Sequence, residues 1–207
     1  MPLRPGPGRS CRHAPVDATW RAGPHPPGGH RRVRRARHRR TQADSADRAE
    51  LDAALDRAVD RHGVPQVAVY NAALVRADEL GELSVREHLD AWAVNVIGAL
   101  NTAACLVPTV AARGSGTFLV TGGMPEPEPQ YVSLSLGKSG LRTLVTLLDQ
   151  QYGAAGVHVA AVTVDGPVSP GTDFDPDTIA EHYWRLHTQP RHLWTREVLY
   201  SGASSER

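Results

Sequence analysis

The 207-residue chain predicts a doubly wound α/β fold, a parallel sheet with helices on both faces. Three observations carry that prediction. Short apolar runs rich in β-branched residues alternate with longer amphipathic segments. The runs are mostly apolar, as strands covered on both faces require. Each run also ends in small or turn-forming residues, and helix-length crossovers between consecutive strands imply right-handed βαβ units.

The elements follow in order. Leu51, Leu55 and Val59 recur every fourth residue with charges between them, and Gly63 stops the pattern, so a helix is predicted over residues 45–62. Val64-Pro65 leads into a buried strand over residues 66–70 that ends at Asn71. Ser84 and Glu87 form a capping box, and Val85, Leu89, Trp92, Val96, Ala99, Ala103 and Leu106 mark one face of a long helix with Pro108 near its end. A second buried strand is predicted over residues 116–121, before a loop rich in Gly and Pro. Leu134, Leu141, Val145, Leu148 and Tyr152 line a further helix closed by Gly153, and a third strand follows over residues 157–164. Beyond Gly166 come an irregular segment, a helix over residues 177–187 and a closing strand over residues 197–200. No internal repeat is visible. No apolar run reaches 18 residues; the nearest, residues 96–112, is broken by Asn101, Thr102 and Pro108, so no membrane span is expected.

Composition divides the chain in two. Residues 1–42 hold eleven Arg and one acid, Asp17, for a charge of +10; the remaining residues hold eleven Arg and one Lys against 21 acids, for −9. The head has seven Pro, five Gly and four His and almost no Ile, Leu or Val, so it is expected to be disordered and the folded domain to cover residues 43–207. Its arginine run over residues 30–40 would attract phosphates, yet no aromatic residue or Lys interleaves, so nucleic acid is not the expected partner. Two readings of the head remain, a solvated tail and an out-of-frame translation of a high-GC gene. Cys11 and Cys105 are too few for a disulfide framework, which points to a reducing compartment and a cytoplasmic protein.

In sheets of this kind ligands bind beyond the carboxyl ends of the strands. Those ends carry Asn71-Ala72-Ala73, Thr121-Gly122-Gly123 and Asp165-Gly166-Pro167, small residues that let a flat ligand approach the backbone. Together with Asp44 upstream, Asn95 in the long helix and Lys138 in the next helix, they make the order of residues over about 43–202 resemble the short-chain dehydrogenase/reductase family. The resemblance implies a Rossmann-like sheet, NAD or NADP as cofactor, and hydride transfer between it and a small-molecule carbonyl or alcohol. It also implies Asp44 with Ser45 at the adenine, and Asn71, Ala72 and Ala73 supporting the cofactor, to which the third strand end adds Gly166. Lys138, the only lysine in the chain, would hold the nicotinamide ribose, and Asn95 would serve a proton relay.

The departures from the family pattern matter equally. Ala73 stands where the family has Gly. Leu134 occupies the position of the catalytic tyrosine four residues before Lys138, and the strand-end serine falls on Gly122 or Gly123. Tyr131 is then the remaining candidate proton donor, seven residues before Lys138 and roughly 10.5 Å of helix rise away instead of about 6 Å. The family's opening strand and glycine-rich turn, Thr-Gly-x-x-x-Gly-x-Gly, cannot be found in residues 1–42, so the N-terminal βαβ unit is expected to be missing and cofactor binding weak. The alternative function is a catalytically inactive scaffold that acts through protein binding.

His182 and His187 lie about 140° apart on a helix without a ligand quartet, so no metal site is expected. Tyr183, Trp184 and Trp194 are expected to pack over the sheet, with substrate-pocket lining as a second role. The apolar stripes from Trp92 to Leu106 and from Leu141 to Leu148 suit either the monomer core or a homodimer through the two long helices.

Overall fold

The computed structural model describes residues 42–202. The expectations for the basic head and the missing first βαβ unit lie outside the described residues. Four strands, β1 (Val67–Tyr70), β2 (Gly116–Gly123), β3 (Val157–Val164) and β4 (Glu197–Tyr200), pair in parallel in that order. Helix α1 (Arg48–His62) precedes β1. The first crossover is α2 (Val85–Trp92), a π-helical segment (Ala93–Ile97) and α3 (Gly98–Arg113); the second is α4 (Val132–Tyr152); the third contains α5 (Pro176–Thr188). This is the predicted parallel α/β architecture, with its strand and helix order intact.

Side-chain alternation along the strands separates two cores. On one face Phe118, Val120, Val159 and Ala161 pack against Ala99, Ala103 and Val107 of α3 and Leu141 and Val145 of α4. On the other, Leu119, Ala160 and Val162 pack against Ile179 and Leu186 of α5, with Tyr200. Every residue of β3 is buried, which suits its mostly apolar sequence, and the two polar residues within it, His158 and Thr163, are hydrogen-bonded. Helix α1 lies outside α3, resting Leu55 on Cys105 and Leu106. Among the described residues β1 pairs on one edge only, and Val69 on that strand is 41% exposed.

One expectation needs correction. Helix α1 starts at Arg48 rather than residue 45, because Asp47 is its N-cap and accepts from the backbone N–H groups of Ala49 and Glu50. Asp44 instead closes the preceding turn, its carboxylate accepting from the Ala46 N–H at 2.8 Å. The long helix predicted from Val85 is present: Val85–Arg113 is a continuous helical run of 29 residues, with Asn101, Thr102 and Pro108 inside it, and is long and apolar enough to cross a membrane by length and composition. Its polar residues are satisfied in place. Asn101 accepts from the Arg48 guanidinium at 2.9 Å, and the Thr102 hydroxyl donates back to the Gly98 carbonyl at 2.8 Å. With 61% of its apolar window buried, the run is the central core helix of the domain.

The π-helical segment is met by a residue from a distant part of the sequence. The Tyr70 hydroxyl, at the end of β1, donates to the Val94 carbonyl at 2.5 Å and so occupies the helix's inner side. A Cβ at Gly98 would lie 2.2 Å from that oxygen, so only glycine lets the ring approach. Such a bulge turns its residues relative to a regular helix, and here it aims Asn95 at the loop following β1.

Candidate active site

The loop from Asn71 to the start of α2 is held at two points. Asn95, 1% exposed, accepts from the Leu74 N–H and donates to the Leu74 carbonyl. Asp78, also 1% exposed, accepts from the Ser133 N–H at 2.9 Å and from the Ser133 hydroxyl at 2.7 Å. Its backbone exchanges bonds with Gln130 and Val132, so this loop and the start of α4 form one unit.

At the carboxyl end of β2 the two sides of the sheet meet. Pairing of Tyr70 with Val120 puts Asn71 beside Thr121, and the Thr121 hydroxyl donates to the Asn71 side-chain oxygen. The Tyr183 hydroxyl, from α5, lies 2.7 Å from the same Thr121 oxygen. Because the one Thr121 hydroxyl hydrogen goes to Asn71, the phenol donates, giving a directed chain from Tyr183 through Thr121 to Asn71. Burial raises the Tyr183 phenol above its usual range, partly offset by the Thr121 bond.

Lys138 reaches the same strand end from α4. Its Nζ donates to the Thr121 carbonyl at 2.7 Å, and no carboxylate pairs with it among the described residues. Desolvation lowers its pKa to about 8. The adjacent Gly137 makes room for Asn95: a Cβ there would sit 2.8 Å from the Asn95 Cβ. Lys138, Asn95, Asn71 and the loop through Ala72 and Ala73 therefore converge, Ala72 packing into the core while Asn71 and Ala73 face outward.

The other sequence candidates fall elsewhere. Tyr131 is the half-buried residue before α4, bridged through its backbone to Asp78, and it makes no hydrogen bond to Lys138. Leu134 is buried at 3%. Of the two strand-end glycines, Gly122 has no room for a side chain, since its Cβ would meet Thr163 Oγ1 at 2.3 Å; Gly123 is the one that faces Lys138. Asp44 is exposed at the α1 cap, and Ser45 lies beside Tyr70, its carbonyl 2.8 Å from a Cβ at Gly98. Gly166 is exposed and lies under the Phe174 ring. Among the aromatic residues, Tyr183 packs over the sheet and Trp194 stacks on His158 with centroids 4.7 Å apart, but Trp184 is 55% exposed and does not cover it. His182 packs on Tyr200 and His187 meets Thr117, so the two histidines serve separate contacts.

Sequence reasoning placed Thr121 at the strand end without its bonds to Asn71 and Tyr183, and it did not single out Asp78. The signal for the Thr121–Asn71 bond was the place of Thr121 opposite Asn71 once the strands are aligned. Asp78 has no local signal, because its partner Ser133 is 55 residues away.

The parallel sheet, its two helical layers and the polar groups at its carboxyl ends define a Rossmann-like nucleotide-binding architecture. Residues 30–187 match the family described as Enoyl-(Acyl carrier protein) reductase, and the chain belongs to this short-chain dehydrogenase/reductase family. An uncharacterized oxidoreductase of Staphylococcus haemolyticus is 24% identical over 166 residues, 75% of this chain and 72% of the relative. Oxidoreductase UcpA of Escherichia coli K12 is 29% identical over 127 residues, covering 58% of this chain and only 47% of UcpA. Among solved structures, an alcohol dehydrogenase from Thermococcus sibiricus complexed with 5-hydroxy-NADP aligns with a TM-score of 0.70 at 22% identity, over 78% of this chain and 73% of that one. A short-chain dehydrogenase from Streptomyces avermitilis aligns at 0.71 and 18%, over 80% and 72%. At these identities the structural likeness shows the fold.

Proposed function

We propose that the chain is a cytoplasmic NAD(P)-dependent oxidoreductase acting on a small-molecule carbonyl or alcohol, with an incomplete set of proton-handling groups. The observation that carries this reading is the buried Lys138 amine, delivered to the same strand end as Asn71. The described residues fit the nicotinamide-ribose end of the cofactor: Lys138 spends one hydrogen on Thr121 and keeps others for ribose hydroxyls, while Asn71 and Ala73 present an open strand end. Weak cofactor binding belongs to the same reading. When bound, the cofactor supplies the hydride. The chain orients it: Lys138 holds the ribose, Asn95 fixes the cleft wall through Leu74, and Asp44, Ser45 and Gly166 are assigned to its periphery. Tyr131 is assigned to proton donation. A homodimer through α3 and α4 belongs to the same reading.

A second reading, an inactive scaffold that binds protein, is favoured by Leu134, whose side chain is sealed in the core where the family has a phenol, and by the bare Gly123. Turnover of a carbonyl panel with NADH or NADPH separates the two. Measurable reduction that falls at least tenfold in Tyr131→Phe supports the enzyme and its donor; equal rates in both chains remove Tyr131 from the role. Nucleotide binding without any turnover favours the scaffold.

A further inference from the structure

Helix α5 supplies the outer end of a chain of polar contacts that leads into the candidate site. Its buried residues Ile179, His182 and Leu186 turn Tyr183 towards the sheet, where the phenol oxygen lies 2.7 Å from the Thr121 hydroxyl. Thr121 donates that hydroxyl's one hydrogen to the Asn71 side-chain oxygen, and its carbonyl accepts from Lys138. The two ends of an asparagine amide have nearly the same shape and opposite character, one an acceptor and the other a double donor. No further side-chain hydrogen bond holds Asn71 among the described residues, so Thr121 decides which end faces outward. With the oxygen turned to Thr121, the threonine and phenol hydrogens both find an acceptor. With the amide turned over, one of those two hydrogens has none among the described residues, because Tyr183 makes no second hydrogen bond there.

We propose that Tyr183 is a positioning residue of the candidate site: by donating to Thr121 it directs the threonine hydrogen to Asn71 and turns the Asn71 NH2 group to the open strand end. The strand end then offers N–H groups from Asn71 and Lys138 together, and it receives a hydrogen-bond acceptor oxygen of the ligand. Only the ligand's identity as a nucleotide rests on the oxidoreductase reading. Tyr183 acts this way because a phenol has one hydrogen, and here that hydrogen is committed to Thr121. In Tyr183→Phe a water in the vacated place can accept or donate equally, and either amide orientation is matched.

The test uses the isotope-labelled full chain, first without nucleotide. Nuclear Overhauser contacts between the Asn71 side-chain NH2 and the Thr121 Hβ report the amide orientation, which a merely structural role of Tyr183 would leave in place. They should be absent from the parent and present in Tyr183→Phe, whose ring keeps its packing on the sheet. NADH and NADPH are then titrated into the parent and the variants. Tyr183→Phe halves the fraction of chains with the NH2 group outward, so Kd should rise about twofold. Asn71→Leu removes the donor and should raise Kd about tenfold, the worth of one hydrogen bond. A parent that binds neither nucleotide removes the oxidoreductase reading, and the Overhauser contacts then decide the positioning role by themselves. Contacts of the Asn71 NH2 with Thr121 in the parent, or their absence from both chains, would overturn the proposal.

Discussion

Asn95 grips both backbone groups of Leu74, accepting from its N–H at 2.8 Å and donating to its carbonyl at 3.2 Å. A side chain in a π-helical segment thereby fixes the loop that leaves β1 at the candidate site. Asn95→Ala leaves those groups without their partner, which should cost about 1–3 kcal/mol. Denaturation measures the loss, and amide exchange at Leu74 should accelerate; unchanged protection there would contradict the clamp. Gly137→Ala should act in the same direction, since its Cβ would press on Asn95.

Lys138 makes stability depend on pH. Folding lowers its pKa from 10.5 to about 8, so between those values the unfolded chain binds more protons and native stability rises with pH. Below about pH 8 the full penalty of a buried ammonium applies, on the order of 3 kcal/mol, reduced by the bond to Thr121. Lys138→Met should therefore be more stable than the parent at pH 7, with the gain shrinking towards pH 10.5. Urea midpoints of both chains at pH 7 and pH 10 check this; a constant difference would show that the amine is not desolvated.

Asp78 caps α4 from another segment. The residue before α4, Tyr131, gives no side-chain cap, and the Asp78 carboxylate takes the Ser133 N–H and hydroxyl instead. Asp78→Ala should cost about 1–3 kcal/mol, and Asp78→Asn less, because the amide oxygen can still accept. Chemical denaturation of the two variants orders them.

Leucines on α3 and α4 bear on association. Leu100, Leu136 and Leu147 are 42%, 56% and 56% exposed, whereas Leu106, Leu141 and Leu148 of the stripes read from sequence are buried within the monomer. The proposed homodimer would use the exposed set, so Leu136→Glu should shift sedimentation from dimer towards monomer. A parent chain that sediments as a monomer removes the interface.

Much of the fold was legible because its signals are local. The β3 run, the Ser84–Glu87 capping box and the α5 and β4 segments all appear where periodicity puts them. The start of α1 was misplaced because Asp44, Ser45 and Asp47 all have capping chemistry, and only backbone geometry selects Asp47. The π-helical segment was invisible, since Val94-Asn95-Val96 has ordinary helical periodicity and the cause of the bulge, Tyr70, lies 24 residues away. The same limit hid the Tyr183–Thr121–Asn71 chain, whose members come from three separate elements.

The central claim is that the strand end reached by Lys138 from α4 holds a nicotinamide nucleotide. Titration of NADH and of NADPH into the parent chain and Lys138→Ala, followed by nucleotide fluorescence, tests it most directly. The account predicts saturable, weak binding to the parent with at least one nucleotide and its loss in Lys138→Ala. Undiminished binding in Lys138→Ala, or none to the folded parent at any nucleotide concentration reached, would contradict it.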